Sequence, residues 1–453
     1  MPVLYRMTKI IFKHMKKIYR HKPLNSLFLI IVLGVNGPVM AQHEQIDLKS
    51  LLHQMVENNP DVLQAGKSLV EADAQIRLIE TALNPRVTGN ASYMRVGPIS
   101  KLDIEGLGKM KISPANYYDA NIAYDQTLFD FGKTARSAAV EKERKKLLNA
   151  SIDELRQDLS IQLINTYFQV VYLQDALKIN DEEMANLQEH QNTVQKKLDA
   201  GTSTKYALLS TRVRISRLKS NQVDLQAMKV KALAILTSLV GRDFDPSIMF
   251  PSELPDMAIR ADVGPVLEKA YENRNSLKIA KENESLSKLR IAVVNAKTNP
   301  YLSASAMVGA KNGFEPDLNE FRPDFSVGVG IHVPVYSASE NKHQLLLEET
   351  RLLEYQYATE SEKRKVTQEV VHAVENLKAA KLKIEQEEMQ VKQADEAYKL
   401  AQVSFGAGVI TNLDLLDADT NLQDSKLALL KTEIDYLLAG YEVKRASGDK
   451  LYE

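Results

Sequence analysis

Residues 370–411 read VVHAVENLKAAKLKIEQEEMQVKQADEAYKLAQVSFGAGVIT, and a seven-residue rhythm runs through them. Val370, Leu377, Ile384, Val391, Tyr398 and Phe405 recur at the spacing that returns one helix face to a partner helix in a coiled coil. A second seam carries Ala373, Ala380, Ala394 and Ala401, interrupted by Glu387, and its small side chains allow close helix approach. The run stops at Ala407-Gly408, with Thr411 placed to begin a return helix. The same text stands 207 residues earlier: Leu163, Val170, Leu177, Met184, Gln191 and Leu198, then Ala200-Gly201 and Thr204. A long helix, a tight turn and a return helix have been written twice, as in repeat architectures rather than in a single enzyme pocket.

Working outward, the pattern predicts long helices over about 133–199 and 340–406, each roughly 100 Å at 1.5 Å per residue. Helices of that length need neighbours, which the heptads provide. The second return helix carries Leu413, Leu416, Thr420, Gln423, Leu427, Leu430, Ile434, Leu437 and Tyr441. The first has Tyr206, Leu209, Val213, Ser216, Ser220, Val223, Ala227, Val230 and Ala234 in those places, and is read as a thinner version of the same seam. Further out, continuous helices are expected near 47–82 and 262–297, closed by Asn84-Pro85 and Asn299-Pro300, because the residue before proline is driven out of the helical region. Each Asn-Pro opens strand-like text, at about 86–97 and 118–129 in the first copy and 301–310 and 325–335 in the second. In the last, Phe325, Val327, Val329, Ile331, Val333 and Val335 alternate with Ser326, Gly328, Gly330, His332 and Pro334, the period of a strand between two unlike environments. The chain thus divides into residues 42–241, a proline-bearing equatorial linker 242–265, and residues 266–453.

Composition excludes several classes. With 58 basic and 59 acidic residues the net charge is -1, which offers no basic excess for nucleic acid. There is no cysteine, hence no disulfide, thiolate metal site or cysteine nucleophile. The mature histidines (His43, His53, His190, His332, His343, His372) form no pair at metal-ligand spacing, no phosphate loop or nucleophile elbow is present, and neither catalytic residues nor a cofactor are expected. Residues 1–41 read as a cleaved export signal: Lys13, Lys16, Lys17, Arg20 and Lys22, an apolar core Leu27–Val35, and Val39-Met40-Ala41 before the cut. Translation from Met15 would give a more usual signal length. No later stretch holds about 18 successive apolar residues, so entry into a membrane has to be as β-structure.

Four strands cannot close a barrel, and open edges are not tolerated in lipid, so several chains have to share one; three would supply 12 strands. Tyr93, Tyr117, Tyr118, Phe129, Tyr301, Phe321 and Tyr336 near strand ends fit an interfacial belt. The other non-enzyme reading is a periplasmic or surface coiled-coil scaffold with a water-soluble β-head, which membrane fractionation separates from a channel.

The two Asn-Pro strand entries, the Leu128-Phe129-Asp130-Phe131-Gly132-Lys133 corner and the Ser404–Ala418 stretch SFGAGVITNLDLLDA, together with the repeat, resemble the outer-membrane factor family of TolC-like efflux channels over essentially all of 43–453. The resemblance implies a homotrimer with a 12-stranded β-barrel in the outer membrane above a long α-helical barrel crossing the periplasm. It implies a passive duct serving efflux or type I secretion, docked to a periplasmic adaptor and an inner-membrane pump of resistance-nodulation-division or ABC type. Asp414 and Asp417 match the family's constriction, where like charges converging on an axis repel, and Phe405 stands beside them in the gate. Thr411 with acids in a first helical turn also matches simple capping, although the first copy has Ala207 and Ser210 there and manages without acids. The turns Gly201-Thr202-Ser203 and Gly408-Val409-Ile410 match the adaptor-docking tips. Ile410 replaces the family's arginine and Phe405 its tyrosine, which removes the expected lock and shifts closure toward apolar packing.

Overall fold

The computed structural model of the protein describes residues 46–453 apart from 100, 105–107, 253–261 and 337–338. The expected signal segment 1–41 and much of the linker lie outside the described residues. The first copy runs α1 (Leu48–Asn58), α2 (Pro60–Glu80), a short 3-10 turn, β1 (Arg86–Arg95), β2 (Lys101–Ile104), β3 (Gly108–Lys111), β4 (Asn116–Phe129), α3 (Lys133–Asp199) and α4 (Lys205–Val240). The second runs α5 (Val263–Asn273), α6 (Asn275–Ala296), β5 (Tyr301–Lys311), β6 (Arg322–His332), α7 (Glu340–Gly406) and α8 (Asn412–Ser447). Helices α3 and α7 each hold 67 residues and α4 and α8 each 36.

The short helices near 47–82 and 262–297 are not continuous, contrary to the sequence expectation. Asn59 leaves helical geometry at ψ 125, with Pro60 opening α2 behind it. That proline was a legible stop. The second break, at Arg274 with ψ 124, has no proline. Packing makes it: Arg274 is buried, donates to Glu369 at 2.7 Å and to the Arg445 carbonyl at 3.3 Å. Asn59 does the corresponding work in the first copy, donating to the Leu239 carbonyl at 3.1 Å. Each return helix ends in a left-handed glycine against such a break, Gly241 (φ 76) near Asn58 and Gly448 (φ 82) on the Asn273–Arg274 backbone. A Cβ at Gly448 would stand 2.8 Å from Arg274 N, whereas at Gly241 its nearest neighbour is 3.9 Å away. Gly241→Ala is therefore expected to cost about 1–2 kcal/mol, the left-handed penalty alone. Gly448→Ala adds about 1–3 kcal/mol of overpacking, and thermal unfolding of the two variants side by side checks the order.

The four long strands form one antiparallel sheet in the order β1-β4-β5-β6, so β1 and β6 are its open edges, and β2–β3 make a separate small hairpin in the β1–β4 connection that the sequence reading did not include. The strand expected over 325–335 is shifted: β6 begins at Arg322 and stops at His332, before Val333-Pro334. Pro323 lies within β6, which an edge strand tolerates because proline lacks a ladder donor. Phe325, Val327, Val329 and Ile331 stand 64–80 % exposed on one face. On the other, Ser303 and Ser305 pair with Gly330 and Gly328, leaving that surface shallow and small.

The corner from β4 into α3 explains the LFDFGK text. A register shift falls between Thr127 and Phe129, then Phe131 (φ 50) and Gly132 (φ 82) turn the chain. The Asp130 carboxylate accepts from Gly132 N at 3.0 Å and Thr134 N at 2.7 Å, which caps α3. The Phe131 carbonyl accepts from Asn299 at 3.1 Å, so the second Asn-Pro entry is tied to the first copy's corner.

Two cores hold the helices together. One gathers Leu51 and Met55 of α1, Leu163, Phe168 and Val170 of α3, and Leu236 of α4 around Phe250 of the linker. The other joins Ala270 and Leu277 to Val366, Val370, Val374 and Leu377 of α7 and Val443 of α8. Gln174 fastens Phe250 through both its amide atoms (3.0 and 2.9 Å), and Gln157 does the same for the C-terminal Asp449 and Leu451 (2.7 and 3.2 Å). One seam reading is corrected. The stripe Tyr206, Leu209, Val213, Val223 and Val230 on α4 is 47–69 % exposed, while the buried face of that helix is Ala207, Leu208, Thr211, Ile215, Leu218 and Leu236. Two apolar stripes share α4, and only one is covered within the chain.

Candidate functional site

The end of the molecule at which α3 turns into α4 and α7 into α8 holds every residue singled out as a site. Both turns close in the same way. Thr202 N reaches the Lys197 carbonyl at 2.8 Å and Gly201 N that of Leu198 at 2.9 Å; Val409 N reaches Ser404 at 2.9 Å and Gly408 N reaches Phe405 at 3.1 Å. This is the paired bonding of a helix stop with glycine in the left-handed position, and Gly201 and Gly408 both have φ 76. Turn chemistry accounts for the two glycines. It does not account for Val409, which is 77 % exposed at the tip.

The side chains between the hairpins are the part that sequence reading missed. Asn412, the first residue of α8, is buried; its amide donates to the Ala207 carbonyl (3.2 Å), Ser210 Oγ (3.2 Å) and Thr211 Oγ1 (3.3 Å) of α4. Its carbonyl oxygen therefore faces His190 of α3, 2.7 Å from Nε2, and that nitrogen is the donor. Lys197 donates to the Phe405 carbonyl at 3.0 Å and lies 4.3 Å from the centre of its ring, while His190 meets the same ring edge-on at 5.2 Å. Phe405 and Leu198 pack on Val194, Ala207 and Leu208. The contact between the hairpins thus mixes apolar packing at Phe405 with a polar clasp centred on Asn412. Asn412→Ala is expected to cost about 1–3 kcal/mol, because the His190 N–H loses its acceptor and the bridge to the Ala207–Thr211 turn is removed, and thermal unfolding reads it.

Asp414 and Asp417 are exposed on α8. The Asp414 carboxylate accepts from Thr411 N (2.8 Å) and Thr411 Oγ1 (2.7 Å), and Thr411 Oγ1 accepts from Asp414 N, a complete capping box. The Thr411 hydroxyl and amide hold its carboxyl below the usual carboxylate range. Its helix-capping component is therefore present on α8, and lost as pH falls through that lowered value. The first copy has no acid at the corresponding place. There Thr204 accepts from Ala207 N at 3.1 Å with no reciprocal bond, so the two caps differ in strength. Capping explains Asp414 and leaves Asp417 without a structural duty.

One turn further in, Glu183 of α3 pairs with Arg214 of α4 at 2.9 Å, and Asp419 of α8 is buried beside them. A cavity of about 210 Å³ opens between the hairpins here, walled by Leu187, His190, Tyr398, Phe405, Leu416 and Asp419. The one signal for this cluster in the sequence is that Asp419 falls seven residues after Asn412, on the covered face of α8.

Paired long hairpins and a four-stranded antiparallel sheet with an exposed apolar face define a protomer of a TolC-like channel. The chain belongs to the outer membrane efflux protein family, whose profile matches residues 51–242 and 266–449. Among its relatives, the alkaline protease secretion protein AprF of Pseudomonas aeruginosa is 26 % identical over 416 residues, 87 % of this chain and 83 % of that protein. The outer membrane protein TolC of Escherichia coli is 19 % identical over 433 residues, 93 % and 85 % of the two chains. The crystal structure of the Campylobacter jejuni CmeC outer membrane channel superposes with a TM-score of 0.76 at 17 % identity, over 90 % of this chain and 87 % of that one. The protein is an outer-membrane channel of the efflux and secretion type, in a family of channels, and the scaffold alternative falls away.

Proposed function

We propose that the chain is one of three identical protomers of a passive duct that crosses the outer membrane and the periplasm. The observation that carries this is the sheet: β1 and β6 are unpaired edges, and Phe325, Val327, Val329 and Ile331 face outward uncovered. Edges and an apolar face of that kind are stable in lipid only when other chains continue the sheet to closure. The uncovered stripe of α4 supports the same stoichiometry, since it offers a seam to a neighbouring protomer's helices. Residues 42–241 and 266–453 are the two halves of the wall, 242–265 the belt between them, and 1–41 a signal removed on export. Native mass spectrometry of the detergent-extracted protein tests the assembly, with a trimer expected and a stable monomer refuting it.

In that trimer Asp414 and Asp417 face the axis and Phe405 backs them, forming the gate. The tips Gly201, Thr202, Ser203, Gly408, Val409 and Ile410 receive a periplasmic adaptor, and an inner-membrane pump of resistance-nodulation-division or ABC type supplies energy and selects cargo; the duct itself performs no chemistry. The AprF resemblance favours secretion among the possible cargoes. Asp414→Ala with Asp417→Ala is expected to raise leak conductance and weaken block by multivalent cations in planar bilayers. Unchanged single-channel behaviour would remove the gate assignment.

A further inference from the structure

We propose that Asp419 is a proton-binding site of the closed tip: its carboxyl carries a proton while the two hairpins lie together and ionises when they part. The inference rests on the gate reading above for its functional half, but the site itself stands on the geometry. Asp419 is 2 % exposed and both of its carboxyl oxygens lack a hydrogen-bond donor. It looks onto a cavity walled by Leu187, Leu415, Leu416 and Phe405 together with the polar side chains of His190, Lys197, Tyr398 and Gln402. Carboxylates in such surroundings take up a proton rather than remain charged.

The neighbours enforce the shortage of positive charge. Two carboxyls, Glu183 from α3 and Asp419 from α8, share one guanidinium, that of Arg214 on α4, and Glu183 already holds it at 2.9 Å. Arg214 Nε is buried without an acceptor, so the guanidinium faces away from full pairing with both acids at once. The other groups around the pair are His190 of α3, engaged with Asn412, Lys197 of α3, engaged with the Phe405 carbonyl, Tyr398 of α7, and Gln423, Asp424 and Lys426 of α8. Burial pushes the Asp419 and Glu183 carboxyls up from their ordinary range; Arg214 pulls both back, helped at Asp419 by the nearby Gln423 amide, His190 and Lys426, and the upward push prevails.

Asp419 belongs to one hairpin, and Leu187, Glu183, His190 and Arg214 around it to the other, so separation of the hairpins hydrates it and returns it toward an ordinary carboxyl. The closed form then binds the proton more tightly than the open form. Closure is favoured in full below the open-state pKa and that advantage is lost as pH rises through the closed-state pKa. One unit of difference between the two corresponds to about a tenfold change in the closed-to-open ratio.

The test uses the full-length trimer with Asp414 and Asp417 left in place, so that the gate is the same in both proteins compared. Its conductance in planar bilayers is expected to rise in a single step as pH increases across the weakly acidic range. Adding Asp419→Asn, which mimics the protonated carboxyl, is expected to abolish the step and hold the low-conductance level. A step unchanged by Asp419→Asn, or no step in either protein, overturns the coupling to the tip. Difference infrared spectroscopy reads the site independently of gating: a protonated-carboxyl stretch at mildly acidic pH that vanishes in Asp419→Asn is expected, and its absence overturns the site. Trimer content on native gels shows whether Asp419→Asn has folded.

Discussion

Replacing Arg214 by methionine is expected to destabilise the helical hairpins by about 3–5 kcal/mol, the cost of stripping one partner from a buried ion pair. The Glu183 side chain is only 4 % exposed and that of Arg214 16 %, so neither is hydrated when left alone. With Arg214 gone, Asp419 also loses its strongest attractive neighbour. The loss should therefore shrink as pH falls, because protonation of Glu183 and Asp419 removes the need for a cation. A second substitution, Glu183→Leu, should recover most of the stability, since a well-packed apolar pair replaces buried ions at little or no cost. Thermal unfolding of the detergent-solubilised single and double variants at two pH values checks both statements; equal losses at both values would contradict the assignment of the pair as buried and ionised.

Arginine in place of Val329 is expected to have the next largest effect, about 2–4 kcal/mol near the middle of a lipid-facing strand. Val329 is 69 % exposed in the centre of β6, on the face that also carries Phe325, Val327 and Ile331. Ser305→Asn, on the small-residue face opposite Gly328, is expected to stay within about 0.5 kcal/mol. Folding into lipid vesicles against urea separates the two. A tolerated Val329→Arg would mean that this face meets water or protein rather than lipid.

The fold was legible where local geometry and sequence share one period. The heptads of 370–405 gave α7 its extent because a seven-residue repeat has few other outlets than a packed helix. The Gly408 and Gly201 turns follow from a single left-handed residue, and the corner at Asp130 from one carboxylate with two amides in reach. Legibility failed wherever the cause was distant. The break at Arg274 arises from Glu369 and the Arg445 carbonyl, far off in sequence, and leaves no mark beside it. On α4 both stripes are apolar, and hydropathy cannot say which one the rest of the chain covers. Nothing in the strand text at 86–97 and 118–129 marks the β2–β3 hairpin between them.

The site divides along the same line. Asp414, Asp417 and Phe405 were found because they match a motif, and the capping box at Asp414 because Thr411 lies three residues before it. Asn412, His190, Lys197, Glu183, Arg214 and Asp419 come from three different helices, and apart from Asn412 none sits in a motif. By itself the sequence determined the duplicated hairpins, the strand entries, the turn glycines and the presence of acids in the first turns of the second return helix alone, since each depends on residues within a turn or a repeat of one another. Only the tertiary structure decided which apolar faces are covered and which carboxyls are buried, because hydration and pairing are set by side chains brought together across some 200 residues: His190 against Asn412 and Lys197 against Phe405 lie 222 and 208 positions apart.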